Sequence, residues 1–166
     1  MPPANTKTTV SSSLVSDLTS VVGDQYVIWK PEDLLVYEYD GSIDKAPPQA
    51  VVLPATAEEV SEIVRIANRH GAYIVARGAG TGLSGGAVPL RSSVVIALTR
   101  LTNLIEVDAE NRVAIVEPGM INLHLSQKVS HLGLFYAPDP ASQKTCTIGG
   151  NIGENAGGPH CLALGV

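Results

Sequence analysis

Ten of the sixteen glycines in this chain fall in two short windows, at positions 78, 80, 82, 85 and 86 and at positions 149, 150, 153, 157 and 158. Flexible-linker glycine is scattered among Ser and other small polar residues. Glycine this concentrated, the first window directly after an apolar run, marks backbone brought close to something. The chain has 166 residues, enough for one domain with a real core, and at 45% hydrophobic and 16% charged it is not a disordered segment. Aromatic residues are only 4%, so that core must be built from Val, Ile, Leu and Ala.

Several classes are excluded early. The formal charge is −5 and no basic stripe occurs, which argues against a nucleic-acid partner. No apolar run approaches the roughly 20 residues of a transmembrane helix. Met1 to Ser13 is Ser/Thr-rich with a single Lys and no apolar stretch, so it is not a secretory signal. An organellar transit peptide would carry several Arg, and the first here is Arg65. Cys146 and Cys161 make no disulfide framework, and no C-x-x-C exists to hold a metal. The expectation is a reduced, cytoplasmic protein with two free thiols and no metal site.

Along the chain, residues 1–13 read as a disordered leader, and 14–49 as a helix followed by an irregular arm. Leu14, Leu18, Val21 and Val22 recur at helical spacing up to Gly23. From Ala50 the signals strengthen. Ala50 to Leu53 is a short apolar strand ended by Pro54. Thr56 with Glu59 is a capping box opening a helix whose apolar stripe is Val60, Ile63, Val64 and Ala67. Gly71 stands where a left-handed cap belongs, and Ala72 to Ala76 forms a second strand. This β-α-β unit predicts two parallel, adjacent strands. Val94 to Leu98 is a third strand, and Ile105–Val107 with Val113–Val116 forms a hairpin. A helix follows over 122–131, ended by Gly133, and Leu134 to Ala137 reads as strand-like. The fold class is α+β.

The first glycine window, Arg77-Gly78-Ala79-Gly80-Thr81-Gly82-Leu83-Ser84-Gly85-Gly86, is read as a nest of inward-turned N–H groups for anionic oxygens. Glycine serves there because φ is positive at several positions and because a Cβ would hold a phosphate away. Arg77 either complements the anion's charge or is a packing residue. Gly80 to Gly85 matches G-x-G-x-x-G, but a dinucleotide fingerprint must open a helix. Residues 87–93 contain Pro89 and lead into a strand instead, which disfavours a nicotinamide-binding Rossmann domain; a helix over 83–93 would restore it. No Gly-Lys-[Ser/Thr] occurs, so a P-loop is excluded. The second window runs from Ser142 to Gly158 and is read as a loop. Its small side chains, the hydroxyls of Ser142, Thr145 and Thr147, and the amides of Asn151 and Asn155 can meet a heterocycle's edge. Either Asn can equally serve as a structural cap.

Val75 to Gly86 resembles the pyrophosphate loop of PCMH-type flavoproteins of the vanillyl-alcohol-oxidase family. Ala137-Pro138-Asp139-Pro140, through Ile148-Gly149-Gly150-Asn151, to Asn155-Ala156-Gly157-Gly158-Pro159-His160-Cys161-Leu162 is similar to the glycolate oxidase and D-lactate dehydrogenase branch. The resemblance covers about residues 30–166. It implies a PCMH-type FAD-binding fold over 50–166, a small β-α-β-β subdomain followed by the start of a larger mixed-sheet subdomain, incomplete at its C-terminus. It implies FAD bound at Arg77, Gly78, Ala79, Gly80, Thr81, Gly82, Leu83 and Ser84, its pyrophosphate on the amides of Gly78 to Gly82 with Ser84 nearby. The flavin and ribityl chain would lie along Pro138, Asp139, Ser142, Thr145, Cys146, Thr147, Ile148, Gly149, Gly150, Asn151, Asn155, Gly157 and Gly158. Relatives with histidyl-linked flavin carry Arg-x-Gly-Gly-His, and Thr81 stands where that His would be, so non-covalent FAD is expected.

The implied reaction oxidises a small 2-hydroxy acid, glycolate or D-lactate, to the 2-oxo acid, with hydride passing to flavin N5. The family's substrate-binding cap and catalytic groups lie outside this sequence, so no catalytic residue is assigned, and the chain alone is expected to bind FAD weakly if at all and to lack turnover. The resemblance also implies iron–sulfur and second flavoprotein subunits and peripheral delivery to the inner face of the membrane. The alternative is a non-enzymatic nucleotide-binding or subunit-packing remnant. Of the histidines, His124 and His131 are expected on a solvated helix face, His70 in a helix's last turn, and only His160 adjoins the second window.

Overall fold

The computed structural model describes residues 11–90 and 92–165. Most of the expected leader therefore lies outside the described residues. Helix α1, Ser12–Val22, buries Leu14, Leu18 and Val22 on one stripe. It stops at Gly23, whose φ of 89° ends the helical backbone.

The arm that follows is less irregular than its sequence implied. It contains a 3₁₀ turn at Asp24–Tyr26, strand β1 at Val27–Ile28, helix α2 at Pro31–Leu34 and a second 3₁₀ turn at Leu35–Tyr37. Two residues are too few to show a period-2 pattern, which is why β1 was invisible in the sequence. Its pairing is tertiary: Val27 and Ile28 lie antiparallel to Val52 and Val51.

Strand β2, Ala50–Val52, leads through Pro54 into helix α3, Ala57–Arg69, and then strand β3, Tyr73–Arg77. Thr56 Oγ1 accepts the Glu59 N–H at 3.2 Å, and the Glu59 carboxylate accepts the Ala55 N–H at 2.6 Å. The capping pair is thus present, reaching one residue further back than the usual box. Gly71 closes the helix at φ 63°.

Strand β4, Ser93–Ala97, corrects the expected topology. β2 and β3 are parallel but not adjacent, because β4 lies between them in the order β1-β2-β4-β3. The reason is burial. All five residues of β4 are buried, whereas β3 is an edge strand with Tyr73 64% exposed. A strand apolar on both faces must be covered on both faces and flanked on both edges.

The sheet is a true two-sided layer. Ala50, Val52, Val94 and Ile96 pack beneath α1 and α3 with Leu14, Leu18, Ile63 and Ile66. Val51, Val95 and Ala97 face the other way, against Leu34, Ile28 and Tyr37. Ile66 joins the α3 stripe with Ile63 and Ala67, while Val60 and Val64 are only half-buried. Each large aliphatic side chain so buried contributes about 1.5–3 kcal/mol. Across the top, His70 Nε2 meets Asp17 Oδ2 at 2.7 Å and ties α3 to α1. Arg100 stacks over the Tyr26 ring at 3.4 Å and donates to the Leu53 carbonyl at 2.7 Å.

The second part of the chain forms its own core. Strands β5, Leu104–Asp108, and β6, Val113–Val116, pair as the expected antiparallel hairpin. Helix α4, Asn122–Val129, continues as a 3₁₀ turn to Leu132 and ends at left-handed Gly133. Met120, Leu125, Val129 and Ile148 pack with the inner hairpin residues Leu104, Val107, Ala114 and Val116. Residues 134–137 are not a strand; they are irregular, with a bend at Ala137. The second glycine window is not wholly a loop either. Helix α5, Ile148–Glu154, occupies its middle, and a short helix α6, Cys161–Leu164, follows.

Candidate functional site

The first glycine loop leaves β3 at its C-terminal end, the position where open α/β sheets present ligand-binding loops. Residues 81–90 form no helix and lead into β4, which rules out the dinucleotide-helix geometry. Positive φ occurs at Gly80 (71°) and Gly85 (76°), not throughout the loop. Among the described residues, the backbone N–H groups of residues 79–84 find no protein acceptor. These six consecutive donors, on residues that are half-buried or exposed, are free to meet water or an anion.

Arg77 resolves to the packing reading. Its guanidinium is buried, donating from Nη1 to the Tyr39 carbonyl at 2.8 Å and the Ala87 carbonyl at 3.2 Å. Burial pulls its pKa below the usual guanidinium value, with the negative charge of Asp40 opposing that shift. Gly80 lies directly over this guanidinium, so a Cβ there would collide with it. Asp40 is itself buried, accepts the Ser42 N–H at 2.7 Å through Oδ1, and leaves Oδ2 without a partner. Gly41 N–H donates to the Gly82 carbonyl at 2.8 Å, fastening the arm to the loop.

The second segment docks against the first. Thr147 caps α5, its Oγ1 accepting the Gly150 N–H at 3.1 Å, and the same hydroxyl occupies the space a Cβ on Gly78 would need. A Cβ on Gly82 would come within 2.5 Å of a Glu154 carboxylate oxygen. The glycines thus permit close packing between the two segments, in addition to any closeness to a ligand. Gly149 sits against Pro118 and donates its N–H to the Pro118 carbonyl at 2.9 Å. The glycines at 149, 150 and 153 are helical, an arrangement the spacing alone did not disclose.

The remaining candidates fall into place around this contact. Ser142 forms a turn, its carbonyl accepting from the N–H groups of Thr145 and Cys146 at 2.8 Å each. Cys146 and Ile148 turn their side chains into the core, so only their backbone can meet a ligand. Asn155 is the left-handed cap of α5 at φ 52°, the structural role left open for it. Asn151 is buried, and its Nδ2 lies beside the Tyr136 hydroxyl without hydrogen-bond geometry, an orphaned donor. Burial raises the Tyr136 pKa, partly offset by Asn151. The Pro138 carbonyl accepts from Asn122 Nδ2 at 2.8 Å. Asp139 presses against Gly158 and accepts the His160 N–H at 3.1 Å, with His160 Nδ1 at 3.0 Å from its other oxygen. Leu83 and Ser84 are exposed at the outer edge of the loop, and Gly157 is half-buried beside Gly158.

Between the segments lies a cleft of about 500 Å³, lined by Ala79, Thr145 and Thr147 and also by residues outside both glycine windows. Those are Thr99, Thr102 and Asn103 from the loop after β4, Gly119 to Ile121, and His124 and Lys128 of α4. Their signal in the sequence was slight, because the loop and helix meet the glycines only in three dimensions. His124 and Lys128 are exposed, as their helical spacing implied, but the water they face is that of the cleft. A larger groove of about 620 Å³ lies between Asp24 and Tyr37, away from every glycine of either window. No three His, Cys, Asp or Glu side chains gather as a metal site among the described residues.

A family model described as FAD binding domain matches residues 48–166. The chain belongs to the PCMH-type FAD-binding domain family. It is 42% identical over 156 residues to the glycolate oxidase subunit GlcD of Escherichia coli strain K12, covering 93% of this chain and 31% of that protein. It is 38% identical to the D-lactate dehydrogenase of Archaeoglobus fulgidus, covering 92% and 34%. Among solved structures, p-cresol methylhydroxylase aligns with a TM-score of 0.73 at 25% identity, over 84% of this chain and 28% of that one. Alkyldihydroxyacetonephosphate synthase aligns with a TM-score of 0.84 at 21% identity, over 99% and 32%, and shares the fold. The FAD-binding domain described here thus spans about a third of the length of the curated relatives it matches.

The residues present fit a flavin dinucleotide. The unpartnered amides of 79–84 suit a diphosphate, and their Ala79 end opens into the cleft beside Thr145 and Thr147. The domain has no helix among the described residues long and apolar enough to cross a membrane.

Proposed function

We propose that this chain is the FAD-holding part of a flavin-dependent 2-hydroxy-acid dehydrogenase or oxidase acting on glycolate or D-lactate. The observation that carries the reading is the row of free amides at 79–84, set against the capped second segment at Gly78–Thr147. The relatives' names, glycolate oxidase subunit and D-lactate dehydrogenase, support the substrate class. FAD supplies the hydride acceptor when bound. This chain's residues bind and orient it: the first loop takes the diphosphate, and Pro138, Asp139 and 145–158 line the ring and ribityl chain. His160 holds Asp139 and, with Nδ1 3.2 Å from the Ala137 carbonyl, the strip 137–139 in place.

The flavin is held non-covalently, because Thr81 offers no imidazole for linkage. No catalytic group is assigned here, and specificity for one hydroxy acid is set elsewhere in a longer protein. The word subunit in the GlcD name supports an assembly; in this reading iron–sulfur and second flavoprotein subunits accept electrons and hold the cytoplasmic protein at the membrane's inner face.

The test is reconstitution of the chain with FAD, followed by gel filtration in FAD-containing buffer and acid precipitation. Flavin co-eluting with protein and then appearing in the acid supernatant is the expected result. Flavin retained in the precipitate overturns the non-covalent reading. Absence of protein-bound flavin under those conditions overturns the holding role, and bleaching by glycolate or D-lactate overturns the absence of turnover.

A further inference from the structure

The free amides of the first loop need a countercharge for a diphosphate, and Arg77 is not available for it. Its guanidinium is buried beneath Gly80 and committed to the Tyr39 and Ala87 carbonyls. At the far end of the loop the charge is of the wrong sign, since the Glu154 carboxylate lies against Gly82 and Gly86. The near end, at Ala79, opens into the 500 Å³ cleft. Its lining holds one lysine, one histidine and no carboxylate, in a chain with a net charge of −5. Both basic residues stand on α4, four positions apart, and so share one helix face. Lys128 makes no ion pair among the described residues, whereas Arg65 and Arg69 pair with Glu62, and Lys45 with Glu38.

We infer that Lys128, with His124 one turn before it, supplies the countercharge and side-chain donors for the dinucleotide's diphosphate at the Ala79 end of the loop. The inference rests on the FAD reading and refines it by assigning the cationic role to α4 in place of Arg77. Thr145 and Thr147 line the same cleft. An ammonium facing a diphosphate across a partly enclosed cleft makes a charge-assisted hydrogen bond, stronger than a neutral one. Because the site opens to water, its contribution is moderate and falls with salt.

The experiment is calorimetric titration of the 166-residue chain with ADP, FAD and uncharged adenosine, at low and high salt. Lys128→Gln is expected to weaken ADP and FAD by about three- to tenfold at low salt and to leave adenosine unchanged. Lys128→Arg is expected to restore most of the loss. Lys144→Gln removes the same charge from an exposed residue outside the lining and is expected to change nothing. Native-like ADP and FAD affinity in Lys128→Gln overturns the inference while leaving FAD binding intact. An equal loss in Lys144→Gln also overturns it, reducing the effect to general charge. Failure of the native chain to bind ADP or FAD overturns both readings. FAD bound without any response to ADP or salt overturns this one alone.

Discussion

Gly80 joins local backbone chemistry to a buried charge. Its φ of 71° is costly for any residue with a Cβ, by about 1–2 kcal/mol, and the Cβ would strike the Arg77 guanidinium beneath it. Gly80→Ala is therefore expected to lower the urea midpoint, by more than the backbone strain alone accounts for, and to weaken FAD. Gly85→Ala, at φ 76° but with nothing nearer its Cβ than Asp44 Oδ2 at 3.9 Å, is the comparison that isolates strain. If the two variants lose equal stability, the Arg77 packing has no energetic weight. At this scale the sequence disclosed which positions matter better than why. Spacing marked Gly78, Gly80 and Gly82, but their neighbours, Thr147, Arg77 and Glu154, are set by folding. Arg77 was legible as important and ambiguous in role, because burial is invisible in a string of letters. His124 and Lys128 followed helical spacing onto an exposed face, and nothing in that spacing told cleft water from bulk water.

At the scale of elements, α5 is the point where the two glycine segments become one site. Its sequence, with Gly at 149, 150 and 153, has poor helix propensity, each Gly costing about 1 kcal/mol relative to Ala. What holds it is tertiary. Thr147 caps it, Ile148 anchors it in the core, and Asn155 closes it in a left-handed turn. Thr147→Ala removes the cap and the hydroxyl against Gly78, and is expected to cost about 1 kcal/mol in denaturant unfolding. Thr147→Ser keeps the cap oxygen and should recover most of it; equal losses in both variants would show that the methyl, not the cap, matters. The α3 cap was legible because its Thr-x-x-Glu signature precedes a clear apolar stripe. The α5 cap was not, because the glycines behind it suggested a loop. The strand order had the same limit. β2 and β3 are each recognisable, but the insertion of β4 between them follows from which strand needs cover on both faces.

Taken whole, the molecule has a two-sided sheet core and a second core under the hairpin, and the latter is the less covered. Ile105, Val113 and Ile115 of the hairpin are 63%, 53% and 48% exposed. Apolar side chains on a two-stranded sheet with both edges open favour association. Ile115→Lys is expected to leave the circular dichroism spectrum unchanged while reducing light scattering at high protein concentration. Loss of structure in that variant would show that Ile115 belongs to the core. The chain spans about a third of its curated relatives, so cover from a longer protein is compatible with this exposure.

By itself the sequence determined the local chemistry of this protein. It contained the β-α-β unit, the hairpin, the helix caps with Thr, Glu and Gly in their places, and two glycine-dense segments. These are legible because propensity, periodicity and φ preference act over a few residues. Only the tertiary structure decided the order of the strands, the helix inside the second window, the burial of Arg77, and the placing of Lys128 and His124 beside Ala79. Those depend on desolvation and packing between segments dozens of residues apart, and such contacts leave no period in the sequence.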